Sequence, residues 1–424
     1  MTRNKTFPLG GIEVESFRHL TEGSLIHSLT LPSLAVVPLV QYAGAKARWI
    51  VSVGDKVAEE QVLAKGLGPN DRDVHSPTPG VLQEFREVPL AGGEVSSAAV
   101  IRLEGEFQRT GKTVTVRDWT SWSPAQLLEC ILECGVYLES STLDRSVILP
   151  SPGKPLKNLV INGLQHEPYL TVALTLLEER FQDVAEGVRI LKQMYSPERT
   201  HLVTDSGDLT SRLPKWKELM EGVEFPELEF KFPQTQAGLL LKTLEIGQES
   251  LVIDVVGVLA IRDAVVEGRP QIERTIVVSG GGARRPGVYR ARIGTPLFQF
   301  LKNSGGIKPQ SEKILVGGPF RGRTVENLGS PVVKSTQSVL VLTKNEVNAG
   351  SERSCIRCGS CVMHCPVGLE PLNLYKLIRQ QNLDQARQDG LEYCIECGIC
   401  SFVCPSRLPL VETFQAAKEE LAHE

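Results

Sequence analysis

The chain has 424 residues, 41% of them hydrophobic, and a formal net charge of −4. Such a length supports several cores and predicts roughly three to five small domains, while the slight acidity leaves no basic footprint and excludes nucleic acid as a partner class. No apolar run approaches the roughly 20 residues a membrane span needs, and the opening MTRNKTFPLGG has no signal-peptide hydrophobic region, so a cytoplasmic protein, able to dock on a membrane complex, is expected.

Residues 1–30 read as a polar lead-in that turns at Gly10 and Gly11. Short strands then follow through 31–106, in VVPLVQ, ARWIVSVGDKV, QVLAKG, DVHSPTPGVLQEF and AAVIRLE. VGDKVAEEQVLA with VHSPTPGVL resembles the lipoyl/biotinyl type of barrel-sandwich hybrid, with Gly54 and Gly80 at its tight turns. Lipoyl carriers display a modifiable lysine at a hairpin tip, where this chain has GPNDRDV. A structural barrel is therefore expected. His75 has no second ligand near it in sequence and reads as a hydrogen-bonded turn residue.

Over 115–270 the pattern alternates strand and helix. Ser123 and Pro124 cap a helix carrying Cys130 and Cys134, which read as small core residues. The strand KNLVING precedes one long amphipathic helix with Leu176, Leu177, Phe181, Val184, Val188 and Leu191 on its apolar face. THLVTD is a strand, and LVIDVV leads into the helix GVLAIRDAVVEG. Alternation of this kind predicts a Rossmann-like parallel α/β sheet, which binds ligands beyond the carboxyl ends of its strands. NGLQHEPYL lies there, making Asn162, Glu167 and Tyr169 candidate contacts in a flavin or nucleotide pocket.

Residues 271–345 return to strands around a glycine-rich turn with one helix, TPLFQFLKNSGG, and suit a β-grasp unit of the SLBB type. The glycines at 280–282 open no helix and lack the GK[ST] ending of a phosphate loop. Arg284 and Arg285 at the hairpin tip read as solvated.

The chemistry is concentrated in 346–424. CIRCGSCVMHCP and CIECGICSFVCP each follow CxxCxxCxxxCP, the bacterial run that holds a [4Fe-4S] cluster with three close thiolates and sends its fourth cysteine to the other cluster. Cys355, Cys358, Cys361 and Cys404 are thus expected on one cluster, and Cys394, Cys397, Cys400 and Cys365 on the second. Gly359 and Gly398 permit the turns that aim three sulfurs at one cubane. Zinc knuckles are the competing reading, but zinc sites do not repeat a 2-2-3-Pro spacing. The spacer PLNLYKLIRQQNLDQARQDG reads as helical, with a corner at 382–390, and 408–421 as a further helix. An all-helical dicluster ferredoxin domain follows.

The ordered set VGDKV…VHSPTPG, NGLQHEPYL, AVVEGRPQIER, VVSGGGARRPGVYRARIGTP, ILVGGPFRG and the two cysteine runs resembles the RnfC family, the C subunits of the Rnf (Rsx) ion-translocating electron transport complexes. That resemblance implies a peripheral protein at the cytoplasmic face of the cell membrane. It also implies noncovalent FMN reduced by NADH, two [4Fe-4S] clusters, and as partners the iron-sulfur RnfB protein and the membrane proteins RnfD and RnfG.

The chain departs from this pattern at the flavin. In place of the family's GxGGAGFPT loop it carries CGVYLESSTLDRSVILP, with one glycine and two acidic residues. A carboxylate repels a phosphate, and side chains hold the backbone away from it. Gln165 replaces the first acidic residue of the following motif, KFPQTQAG stands for YPQGGE, and VVGV stands for Asn-Val-Gly-Thr. These changes predict an electron relay whose FMN and NADH pocket is weakened or absent, fed by a ferredoxin or flavodoxin. A complete NADH-oxidising flavoprotein, a cobalamin-reductase-like flavoprotein and a structural assembly protein are the competing readings.

Overall fold

The computed structural model describes residues 6–68, 71–139, 147–207, 213–247, 249–347 and 350–423. Two antiparallel sheets form the unit after the lead-in. One has four strands in the order Leu34–Pro38, Val95–Leu103, Gly80–Pro89, Lys56–Val57; the other has three, Ala47–Trp49, Val62–Gly66, Val74–His75. Ala35, Val37, Leu63, Leu82, Ala99 and Ile101 fill the space between them. Lys334, from a distant part of the chain, is buried against this unit. It donates to the carbonyls of Asp73 (3.0 Å) and Gly135 (2.6 Å), and burial pushes its ammonium down to about 7.

Asn158–Asn162 is the centre of a parallel sheet, flanked by Arg199–Asp205 and Ser250–Asp254. All five of its residues are buried, as a strand covered on both faces requires; each Val, Leu or Ile so enclosed contributes roughly 1.5–3 kcal/mol. Helices Val172–Glu179, Phe181–Tyr195 and Val255–Glu267 pack on its Leu159 and Ile161 face, and Ala237–Leu244 on its Val160 face. The single long helix expected from periodicity is thus two. Arg180 leaves helical backbone (φ −123°, ψ 30°), and its guanidinium is pinned by Asp183 and Asp263, each at 2.8 Å. Ser123 and Gln126 form a reciprocal cap on Pro124–Glu133, and Cys130 and Cys134 are buried.

A six-stranded mixed sheet runs Ile26–Ser28, Gly287–Arg292, Glu273–Ser279, Ser338–Thr343, Ser311–Val316, Arg323–Thr324. Its first strand comes from the expected polar lead-in and pairs parallel with Gly287–Arg292. The lead-in is further tied down where Phe7 is buried under Lys231 and Ile12 bridges to Phe232. The Gly11 N–H donates to the His364 carbonyl in the cysteine-rich region (2.9 Å).

That last region is helical: Ser360–Met363, Pro371–Arg379, Leu383–Gln388, Ile399–Phe402 and Leu410–His423. The corner expected at 382–390 is itself a helix, capped by Asn382, and the chain turns one step earlier at Gln381 in left-handed backbone (φ 57°). The last helix starts at Leu410, after Pro409, later than the expected start at 408. Leu374, Leu391, Leu408 and Phe414 form the core that carries the cysteine turns.

Candidate metal centre

The two cysteine runs build the same local structure twice, at a constant sequence offset. Arg357 (φ 54°) and Glu396 (φ 52°) adopt left-handed backbone, which turns their N–H groups back onto Cys355 Sγ (3.3 Å) and Cys394 Sγ (3.4 Å). Gly359 and Gly398, both at φ 77°, then open the one-turn helices Ser360–Met363 and Ile399–Phe402. Left-handed backbone costs a residue with a side chain roughly 1–2 kcal/mol, so Arg357 and Glu396 hold strain that the turn geometry imposes.

A cavity of about 450 Å³ is lined by Cys355, Cys358 and Cys361 from the first run and by Cys404 from the second. Leu372, Leu408 and Leu410 provide its apolar wall, with Lys376 and Arg357 at its edge. Cys365 is the reciprocal case: it lies within interaction range of Cys394, Cys397 and Cys400 of the second run. The structure thus places Cys404 with the three close cysteines of the first run and Cys365 near those of the second. Among the described residues no three His, Cys, Asp or Glu side chains converge on a point suited to one metal ion. A cavity with four cysteines on its walls fits a cubane, which takes one thiolate at each iron. Burial pushes the Cys394 thiol up to about 11 and that of Cys397 to about 12, and raises that of Cys400 as well. Iron binding in this set must therefore displace protons.

The surroundings of the two sets differ. Cys355 and Cys358 are exposed, with Ile356 68% and Met363 65% exposed beside them. Cys365 and Cys397 are buried, and Cys397 packs with Ile12, Phe232, Ile399 and Phe320. Glu396 is enclosed and paired with Lys418 at 2.9 Å, and the same ammonium donates to the Cys394 carbonyl (2.5 Å). Nothing in the sequence spacing marked Lys418, which reaches Glu396 from the last helix.

At the carboxyl end of the parallel sheet, the three predicted pocket residues are separated. Asn162 stays at its strand end, where its Nδ2 donates to the Thr235 carbonyl (3.3 Å) and its Oδ1 accepts from the Leu164 N–H (3.2 Å). Tyr169, in left-handed backbone, stacks on Phe17 with centroids 4.4 Å apart, and its hydroxyl bonds Glu346 (3.1 Å). Glu167 alone faces a cleft, of about 110 Å³, between the barrel and residues 316–337. Its carboxylate is engaged by the Phe320 N–H (2.8 Å) and Arg321 Nε (2.9 Å).

A second cavity at the sheet end, lined by Glu139, His166, Asp254 and Arg274, has a volume of about 30 Å³. Arg274 and Glu139 close it with a buried ion pair at 2.9 Å. Asp254 caps the following helix through the Gly257 N–H (2.8 Å), and burial holds its carboxyl above the usual range. Small-molecule pockets run to about 300–1,000 Å³. Both described spaces are smaller than that, and carboxylates line them. Of the segment that replaces the family's glycine loop, residues 140–146, including Asp144, lie outside the described residues.

Two family models match the chain: the RnfC barrel sandwich hybrid domain over residues 5–106 and the 4Fe-4S dicluster domain over residues 349–405. The C subunit of the ion-translocating oxidoreductase complex of Rhodobacter capsulatus is 34% identical, covering 97% of this chain and 83% of that protein. The C subunit of the proton-translocating ferredoxin:NAD(+) oxidoreductase complex of Clostridium ljungdahlii is 30% identical over 90% of this chain and 86% of that one. The C subunit of the ion-translocating oxidoreductase complex of Pectobacterium atrosepticum is 32% identical over 97% of this chain and 62% of its own length. The chain belongs to the family formed by the C subunits of ion-translocating oxidoreductase complexes.

Proposed function

We propose that this chain is a peripheral electron-transfer subunit of a membrane-bound, Rnf-type ion-translocating oxidoreductase. It relays electrons through two [4Fe-4S] clusters, held by Cys355, Cys358, Cys361 and Cys404 and by Cys394, Cys397, Cys400 and Cys365. The carrying observation is the cavity that Cys404 shares with three cysteines of the other run. Each cluster, when bound, supplies a one-electron station. The chain's own residues position and tune it. The Arg357 and Glu396 N–H groups each donate to a cysteine sulfur and stabilise its charge. The apolar packing of Ile12, Phe232 and Ile399 keeps water from Cys397, whereas Cys355 and Cys358 stand open to a partner.

In this reading the chain carries no working FMN or NADH site, and Asn162, Glu167 and Tyr169 are the remnant of one. A ferredoxin or flavodoxin is the donor, and the iron-sulfur RnfB protein and the membrane proteins RnfD and RnfG are the partners, at the cytoplasmic face of the membrane. No helix among the described residues is long and apolar enough to cross a membrane, which suits peripheral attachment. The domains in this reading are a lead-in at 1–30, the barrel at 31–106, a Rossmann-like unit at 115–270, an SLBB-type β-grasp unit at 271–345 and the dicluster domain at 346–424.

Anaerobic purification with flavin and iron quantification tests this reading. Iron and sulfide for two cubanes, reducible by dithionite and not by NADH, with flavin well below one per chain, is the expected result. Stoichiometric FMN with bleaching of the clusters by NADH would overturn the relay.

A further inference from the structure

Glu167 is only 2% exposed and carries a charge that does not point at open solvent. Its carboxylate takes the N–H of Phe320 and the guanidinium of Arg321, both in the turn formed by residues 317–322. That turn is closed on itself by the Gly322 N–H donating to the Gly318 carbonyl (2.8 Å). Gly318 is required for it to settle: a Cβ there would lie 2.1 Å from Glu167 Oε2. On its other side the turn meets the second cysteine run. The Phe320 carbonyl oxygen comes within 2.7 Å of where a Cβ on Gly398 would sit, between Cys397 and Cys400. The Phe320 ring stacks on Phe232 (4.3 Å) and meets Phe402 edge-on (5.0 Å), so it is held between the parallel-sheet unit and the helix that carries Cys400.

We infer that Glu167 is a positioning residue for the second cluster site: through the 317–322 turn it clamps Phe320 over the Cys394–Cys400 loop and fixes the Arg321 charge beside Cys397. The inference rests on the assignment of Cys394, Cys397, Cys400 and Cys365 to one cluster. Glu167 is thus a strut between the sheet end and the cysteine turn. Arg321 directly follows Phe320, whose carbonyl meets Gly398, the residue after Cys397, and Glu167 holds its guanidinium at 2.9 Å. A positive charge beside a cluster favours its reduced form, and Glu167 partly neutralises that charge. Among the described residues the first cluster site has no such strut, since its cavity is walled by its own domain.

The test is a redox titration of the anaerobically purified full chain followed by electron paramagnetic resonance, with the two clusters read separately. Glu167→Gln keeps the size of the side chain and leaves Arg321 less neutralised. The midpoint of the second cluster should rise by about a tenfold change in its oxidised-to-reduced ratio, ~59 mV for one electron, with the first cluster unmoved. Arg321→Gln should lower the same midpoint, and Arg321→Lys should restore it most of the way. Gly318→Ala alters no charge but forces the turn off Glu167, and should change the spectrum of the second cluster alone. Loss of only the second cluster from Glu167→Gln or Gly318→Ala would likewise support the strut. Equal changes in both clusters, or none in any variant, would overturn it. Failure of the ligand assignment itself is distinguishable, because the unmodified chain would then not show two cluster signals.

Discussion

The two cysteine turns have one backbone and two environments. Arg357 and Glu396 occupy the same left-handed position, and both donate an N–H to the cysteine two residues before. Yet Arg357 is exposed beside Cys355 and Cys358, whereas Glu396 is 6% exposed and neutralised by Lys418. The local sequence repeat therefore sets ligand geometry, while the contacts made by each turn set solvent access and local charge, the two levers through which a protein tunes an iron-sulfur site. The open site is suited to exchange with a partner and the enclosed one to exchange within the chain.

The sharpest way to break this comparison is to separate the runs. With the fourth cysteine of each run crossing over, as proposed, Cys404→Ser should abolish the exposed cluster although it lies in the second run, and Cys365→Ser the enclosed one. Loss of an outer partner already costs 10–100-fold in metal affinity, so loss of a ligand should cost more than about 100-fold, read as the disappearance of one set of resonances and most of the electron throughput. If Cys404→Ser instead removed the signals belonging to Cys394, Cys397 and Cys400, the crossed assignment would be wrong.

A gentler experiment compares the sites in the unmodified protein. An iron chelator added under air should strip the cluster beside Cys355 and Cys358 first, since these sulfurs are exposed and Cys365 and Cys397 are buried. Two-phase iron release, with the resonances of the exposed site lost in the fast phase, is the expected course. Single-phase release would mean that burial does not distinguish them.

The dicluster domain was legible in the sequence because cysteine spacing encodes it: a 2-2-3-Pro run leaves the chain few ways to aim its sulfurs. Burial periodicity likewise placed the strands Asn158–Asn162 and Arg199–Asp205 and the helix Val255–Glu267. It failed where a polar residue interrupts a helix without glycine or proline, as at Arg180, whose break is held by Asp263 from a distant element. It failed again at 383–388, a short polar helix with little apolar signal. The lead-in showed no sign that Phe7 and Ile12 would be buried, or that Gly11 would bond His364. Glu167 was legible as a residue at the sheet end, but not its partner: the ILVGGPFRG stretch was visible as a motif, and only the fold shows that its arginine closes on that carboxylate. Contacts between elements far apart in sequence carry no periodicity, so the strut and the Lys418 pair were invisible.

The smallest expected effect discriminates best between shared backbone and different surroundings. Glycine relieves left-handed strain of roughly 1–2 kcal/mol but raises the entropy of the unfolded chain by a comparable amount. At Arg357, which is exposed, the two terms nearly cancel, so Arg357→Gly should change stability by no more than about 0.5 kcal/mol. At Glu396 the same backbone relief is accompanied by loss of the buried carboxylate that pairs Lys418. The ammonium is still held by the Cys394 carbonyl, which limits the damage, and Glu396→Gly should cost about 2 kcal/mol. Denaturant melts of the full chain, with cluster absorbance as the probe, measure both. Equal values would show that the repeat, not its surroundings, dominates the energetics of these turns, because the substitution then reads only the backbone they share.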